Sequence, residues 1–173
     1  VADPQTDNNE FAYNGAGADS TSFNDTAPTT AVFSVGTDAM VNENTKAIEA
    51  YCFAEVQGFS KFGFYSGNGN VRGTKIYCGF KPKYVLIKDI ETTGDWASKI
   101  SGLTGFGLGG QRTRNVRYNS DTCQTSANIQ FESNGFRCAT TSTFCNQENK
   151  KYVYMAFAEM PMVGTNGTIA LGT

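Results

Sequence analysis

The sequence predicts an all-β protein, an antiparallel β-sandwich of jelly-roll type that carries a long glycine-rich loop. Three observations predict it. Two distant segments, Ala50-Tyr51-Cys52-Phe53-Ala54-Glu55-Val56 and Tyr154-Met155-Ala156-Phe157-Ala158-Glu159-Met160, share Phe-Ala-Glu between apolar neighbours, and both alternate as a strand does. Short apolar stretches recur between them, each bounded by Gly, Asn or Pro turn signals. No helical periodicity persists for three turns anywhere in the chain.

The elements follow in order. Strands are expected over residues 30–35, 47–56, 59–65, 74–80 and 84–90, then 127–132, 136–141, 151–159 and 168–171. Residues 47–56 and 151–159 are expected as long core strands, adjacent in one sheet. Turns fall at Gln57-Gly58, at Ser66-Gly67-Asn68-Gly69-Asn70, at Lys81-Pro82-Lys83 and at Thr93-Gly94-Asp95. Asn134-Gly135 predicts a two-residue type I′ hairpin between flanking apolar runs, because both residues tolerate positive φ. Tyr84-Val85-Leu86-Ile87 is a continuous apolar run, as in a central strand covered on both faces. Residues 101–110 hold five glycines and cannot carry a regular element unaided. The whole of 95–123 reads as a long excursion, a loop size more often functional or interfacial than incidental.

At 173 residues, 13 Phe and 8 Tyr, the chain is long enough for one domain with a real core. Only 17% of residues are charged and the net charge is −2, which gives no footprint for nucleic acid. No run of 18 apolar residues predicts a membrane-spanning helix. Residues 1–45 contain seven acidic residues and no Lys or Arg. That segment is either an acidic arm or a loop-rich part of the fold tied down by its few apolar residues. The domain division that follows is an N-terminal assembly segment over 1–28 and a sandwich over 29–173. Phe11, Tyr13 and Phe23 are its aromatic anchors, and the basic cluster Arg112, Arg114 and Arg117 is a surface for an acidic partner.

The five cysteines are odd in number, so at least one is unpaired or bridges chains. Cys52 and Cys78, in apolar strands, read as buried free thiols. Cys123, Cys138 and Cys145 lie in polar surroundings, where one bridge is possible. With no Cys-x-x-Cys and no His, neither a zinc site nor a Ser–His or Cys–His couple is expected. Glu55 and Glu159 are the formal candidates for a glycosidase pair, against the far commoner reading of solvated or ion-paired strand ends. No metal, cofactor or catalytic residue is expected, and the chain reads as a non-enzyme. Trp96 is either a sugar-stacking ring or a core-edge plug. Asn68 and Asn70, in a glycine-rich turn, are the amides placed to join it in ligand contact.

Several motifs in order carry a resemblance. Residues 50–63, then Tyr65-Ser66-Gly67-Asn68-Gly69, are followed by Gly79-Phe80-Lys81-Pro82-Lys83-Tyr84-Val85-Leu86-Ile87-Lys88. Thr93-Gly94-Asp95-Trp96, Ser133-Asn134-Gly135-Phe136 and Tyr152-Val153-Tyr154-Met155-Ala156-Phe157-Ala158-Glu159 complete the set. The string resembles a recurrent module in structural, fibre-like proteins of tailed bacteriophages, common in marine phages, over roughly residues 30–160. The resemblance implies a virion structural protein of a tail fibre, head fibre or capsid decoration, made in the host cytoplasm and exposed on the particle. It implies other copies of itself and other virion proteins as partners, with a host-surface glycan as a further one. It brings no catalytic residues, and 98–122 departs from it. The rival reading is a carbohydrate- or receptor-binding, lectin-like domain.

The N-terminal segment generates a prediction. Too few apolar groups lie in 1–28 to offset the entropy of ordering it alone. Deleting it should leave the thermal unfolding transition in place and weaken self-association, read by sedimentation. An unfolded truncation, or unchanged association, contradicts this.

Overall fold

The computed structural model describes residues 23, 24, 26, 28–92, 96–102 and 128–161. They form one helical turn, α1 (Ala39–Asn42), and seven strands. The strands are β1 (Ser60–Ser66), β2 (Lys75–Tyr77), β3 (Pro82–Asp89), β4 (Ala97–Ile100), β5 (Ile129–Glu132), β6 (Gly135–Cys138) and β7 (Lys151–Ala158). They build a four-stranded sheet, β1-β7-β3-β4, and a three-stranded sheet, β2-β6-β5. Every ladder is antiparallel, so the expected all-β class is what the chain adopts. A jelly roll requires eight strands; the described residues supply four and three.

The central strand explains the rest. Along β7, Tyr152, Tyr154, Ala156 and Ala158 face the core, while alternation turns Val153, Met155 and Phe157 to the opposite face. Tyr65 of β1, Val85 and Ile87 of β3 and Ala97 of β4 join the inner face. Against them pack Ile76 of β2, Ile129 of β5, and Phe136 and Cys138 of β6. Rings carry much of this contact: Tyr65 stacks on Tyr152 at 5.2 Å between centroids, and Phe136 meets Tyr154 edge-on at 5.3 Å. Aromatic pairs in these geometries add about 0.5–1.5 kcal/mol beyond the area they bury. Gly63 lies opposite Tyr154, and a Cβ there would stand 3.0 Å from the tyrosine ring. The glycine makes room for the ring.

The outer faces of the two sheets differ in chemistry. The three-stranded sheet turns Lys75, Tyr77, Gln130, Glu132 and Arg137 outward, where Glu132 pairs with both Lys75 (2.8 Å) and Arg137 (2.6 Å). The four-stranded sheet turns out Phe62 and Phe64 of β1, Met155 and Phe157 of β7, and Tyr84 and Leu86 of β3. Phe157 collects Phe62 at 6.0 Å, Tyr84 at 6.3 Å, and Phe59 and Phe53 at 5.9 and 5.8 Å from outside the ladder.

Several expectations need correction. Residues 47–56 are not a core strand: 42–55 are exposed throughout, and 47–55 make no backbone–backbone hydrogen bond among the described residues. A turn intervenes, in which Val56 O accepts from the amides of Phe59 and Ser60, at 3.0 and 2.9 Å. The Ser60 hydroxyl fixes it, accepting from Val56 N at 3.0 Å and donating to Ala54 O at 2.9 Å. β1 therefore takes the place beside β7 that 47–56 was expected to hold. Residues 30–35 form no strand either, because Thr29 Oγ1 accepts from the amides of Ala31 (3.2 Å) and Val32 (3.0 Å). Such side-chain turns compete with a ladder. Conversely, Ala97–Ile100, inside the expected excursion, is a strand, held by its register against β3.

The hairpin β5–β6 falls where predicted, but its two loop residues are Ser133 and Asn134, since Glu132 pairs with Gly135. Of the Asn-Gly pair only Gly135 has positive φ, 152°. The thiols also move: Cys52 is exposed, while Cys138 and Cys145 are buried and free, in the core and not in polar surroundings. Cys78 is buried and free as expected. Strand 168–171, the stretch 103–127 with Cys123, and most of 1–28 lie outside the described residues.

Gly135 generates the next prediction. A Cβ there would sit 1.9 Å from the backbone oxygen of Ile76, and backbone cannot move aside cheaply. Gly135→Ala should cost at least about 2 kcal/mol in chemical denaturation; a loss below about 0.5 kcal/mol contradicts the close approach.

Candidate functional site

The registers bring one set of loops to one end of the sandwich. Ser66 at the end of β1 pairs with Lys151 at the start of β7, Asp89 at the end of β3 pairs with Tyr152, and Ala97 opens β4 opposite Ile87. Residues 67–74, 90–92, 96 and 139–150 therefore gather there. This places Asn68, Asn70 and Trp96 at the same end of the sandwich.

Asn146, wholly buried, ties these loops together. Its Nδ2 donates toward Asn68 Oδ1 (2.9 Å), Asn70 O (2.9 Å) and Thr140 O (2.7 Å). Its Oδ1 accepts from Asn68 N at 3.1 Å, and its carbonyl accepts from Gly69 N at 3.0 Å. The amides singled out from sequence are turn-formers here. Asn68 Oδ1 also accepts from Asn70 N at 3.0 Å, and Asn70 Oδ1 from Arg72 N at 2.9 Å. Both residues stay exposed, but their oxygens are engaged with backbone. Trp96 is half-buried directly before β4.

Beneath this surface, two tyrosines reach up from the core. Tyr65 donates its hydroxyl to Cys145 O at 2.7 Å. Tyr152 donates to Thr143 O at 2.8 Å and accepts from Gln147 N at 2.9 Å. Burial raises both phenols well above their ordinary value. Asp89 closes the next turn: its Oδ1 accepts from the amides of Glu91 and Thr92, at 2.8 and 3.2 Å, and its Oδ2 from Thr92 Oγ1 at 2.5 Å. The neighbouring buried Lys88 donates to Asp89 O at 2.7 Å. Every one of these contacts orders a loop, and none leaves an activated group pointing outward.

The candidate chemistry divides accordingly. Glu55 pairs with Lys61 at 2.5 Å. Glu159 pairs with Lys81 at 2.5 Å and accepts from Ser101 at 2.6 Å; the Lys81 hydrogen bond, with that of Ser101, holds its carboxyl below the usual range. Each carboxylate has its own ammonium partner; Glu159 directly follows β7, whereas Glu55 lies in no strand. Burial pushes the Cys78 thiol up to about 12, and a hydrogen bond to Cys138 together with burial raises Cys145. At neutral pH these thiols are protonated and weak as nucleophiles. Among the described residues no three His, Cys, Asp or Glu side chains converge as a metal site would require. Lys99, between the sheets, donates to Ile129 O and lies 5.1 Å over the Phe131 ring, and burial lowers its ammonium.

Of the expected assembly residues, Phe23 is half-buried in a turn closed by Thr26 N to Phe23 O at 3.1 Å. Phe11, Tyr13, Arg112, Arg114 and Arg117 lie outside the described residues. Sequence reasoning missed Asn146 and, beyond the run 84–87 that it read as a strand covered on both faces, the apolar outer face of the four-stranded sheet. Asn146 sits in the polar string Asn146-Gln147-Glu148-Asn149, where nothing marks one amide as buried. The outer face had a signal, the uninterrupted Tyr84-Val85-Leu86-Ile87, whose even and odd positions are both apolar.

Replacing Asn146 tests the loop tie. Asn146→Ala takes the Asn146 amide away from the Thr140 carbonyl and from Asn68. It should cost about 1–3 kcal/mol and raise amide exchange in 67–73 and 140–150 ahead of the strands. Uniform exchange, or no loss of stability, contradicts the role.

No curated protein and no solved structure matches the chain. A family model, described as a domain of unknown function, DUF7483, matches residues 5–161. The match spans most of the 173 residues, and the chain belongs to that family.

Proposed function

We propose that the chain is a structural protein of a tailed-phage virion, a sandwich module of a tail fibre, head fibre or capsid decoration. It acts by non-covalent assembly and surface display, with other copies of itself and other virion proteins as partners. The observation that carries the reading is the asymmetry of the two outer faces. One is charged and self-paired through Lys75, Glu132 and Arg137. The other is a row of rings around Phe157, met by an exposed apolar segment. Exposed apolar patches of several hundred Å² mark association surfaces. The ordered motifs that resemble phage structural modules supply the setting.

Chemically, such a protein needs a rigid frame and surfaces that lose water on contact. The sandwich supplies the frame. Aromatic rings supply most of the association energy, because single exposed ion pairs contribute only about 0–1 kcal/mol. The loop end supports a second reading, a glycan-binding domain, since Trp96 shares that end with Asn68 and Asn70.

Quantitative mass spectrometry of purified particles from a phage encoding the chain tests the first reading. The chain should appear in multiple copies per particle; its absence from particles, with abundant soluble protein in the lysate, overturns the reading. Titration with host-surface glycans followed by Trp96 fluorescence tests the second. Saturable quenching, lost when Asn68 and Asn70 are both changed to Ala, supports it, and no change at millimolar glycan refutes it.

A further inference from the structure

The segment 47–55 carries a strand's sequence without a strand's partner. Its Phe-Ala-Glu recurs at Phe157-Ala158-Glu159, where Phe157 and Ala158 lie in β7, the strand paired on both sides. Yet the residues of 47–55 are all exposed and make no backbone–backbone hydrogen bond among the described residues. Phe53 anchors the segment over the outer face, 6.3 Å from Phe62 and 5.8 Å from Phe157. Apart from Ala54 O, which accepts from Ser60 Oγ at 2.9 Å, its backbone donors and acceptors make no hydrogen bond among the described residues.

We infer that residues 47–55 are a docking strand through which a second copy of this chain binds, the two segments pairing antiparallel across a two-fold axis. The inference deepens the assembly reading and rests on it. Two arguments select a second copy as the occupant. The first is charge. Antiparallel self-pairing brings Lys46 of each copy to the Glu55 end of the other, so the two flanks complement one another. Lys46 has no ion pair among the described residues, and Glu55 has Lys61 alone. A parallel arrangement would set Lys46 beside Lys46. An acidic partner would be repelled by Glu43, Glu49 and Glu55, and a basic one by Lys46 and Lys61.

The second argument is area. Tyr51, Phe53 and Phe59 are 79%, 58% and 37% exposed. With about 150–250 Å² per ring, they leave roughly 350 Å² of aromatic surface. A standard interface buries about 800 Å² per partner. The rings supply nearly half of that, and the exposed backbone and remaining side chains of the segment, Ile48 among them, can supply the balance. Two-fold symmetry presents the same patch from both copies, as an isologous contact requires.

The test uses the full chain. Sedimentation from about 1 to 100 µM should show a dimer or larger even-numbered assembly. Ala50→Pro removes a strand donor and fixes φ at an exposed residue, and Tyr51→Ser removes the most exposed ring of the segment. Each should raise the dimer dissociation constant at least tenfold with an unchanged unfolding transition. Cys52, the exposed thiol in the segment, reports directly: a short bis-maleimide should link two chains, and Cys52→Ser should abolish the link.

A monomer at 100 µM overturns the inference, as does a dimer that survives both substitutions. The two readings fail separately. A chain found in particles but indifferent to Ala50→Pro retains the virion reading and loses the docking strand. A chain that dimerises through 47–55 but is absent from particles retains the strand and loses the virion.

Discussion

The fold depends on one strand that is paired along both edges and buries the rings of its inner face. β7 has a neighbour on each side and places Tyr152 and Tyr154 in the core. A buried phenol hydroxyl without a partner costs about 1–3 kcal/mol, so the loop above β7 must bring polar atoms to it. It does, with Thr143 O and Gln147 N on Tyr152 and Cys145 O on the adjacent Tyr65. That requirement sets the path of 139–150. The path puts Asn146 under the 66–70 loop, and the order of the loop end follows from satisfying hydroxyls in the core.

Legibility in the sequence tracked how local each determinant was. β1, β2, β5, β6 and β7 were readable because alternation and bounding turns lie within each segment, and β3 because its continuous apolar run is bounded by turns. β4 was not: Ala97-Ser98-Lys99-Ile100 has little intrinsic strand character and exists by pairing with β3, a tertiary effect that overrides propensity. The opposite error occurred at 47–56, where a strong strand pattern meets no partner. At the loop end, Asn68 and Asn70 were legible as turn residues, but their commitment to Asn146 spans 78 and 76 residues of sequence. No local pattern encodes that.

The same distinction bears on the surface. On the three-stranded sheet, Glu132 answers Lys75 and Arg137 across the strands. On the four-stranded sheet, Phe62, Tyr84, Met155 and Phe157 present both an apolar face and, through Phe53 and Phe59, a means of partly covering it. A sandwich whose outer face faced only water would follow the alternation seen in β5, where Gln130 and Glu132 point outward. The departure from that rule lies on the side where the lead-in segment crosses. It is the part of the molecule whose composition the fold alone does not explain.

A local alternative was open to that lead-in. β1 is an edge strand, and a hairpin between 47–56 and β1 would have satisfied the segment's backbone within the chain. The turn at 56–60 prevents it. Ser60 Oγ holds Val56 N and Ala54 O, Gly58 takes φ 76°, and the chain is sent across the sheet, where Phe53 finds Phe62 and Phe157. Fixing a free strand costs about 1–2 kcal/mol per residue, so a segment with no neighbour stays out of regular structure however strand-like its sequence. Phe-Ala-Glu thus stands in two states in one molecule, paired at 157–159 and unpaired at 53–55. What separates them is the availability of a partner, and the turn at 56–60 withholds the one this chain could have supplied itself.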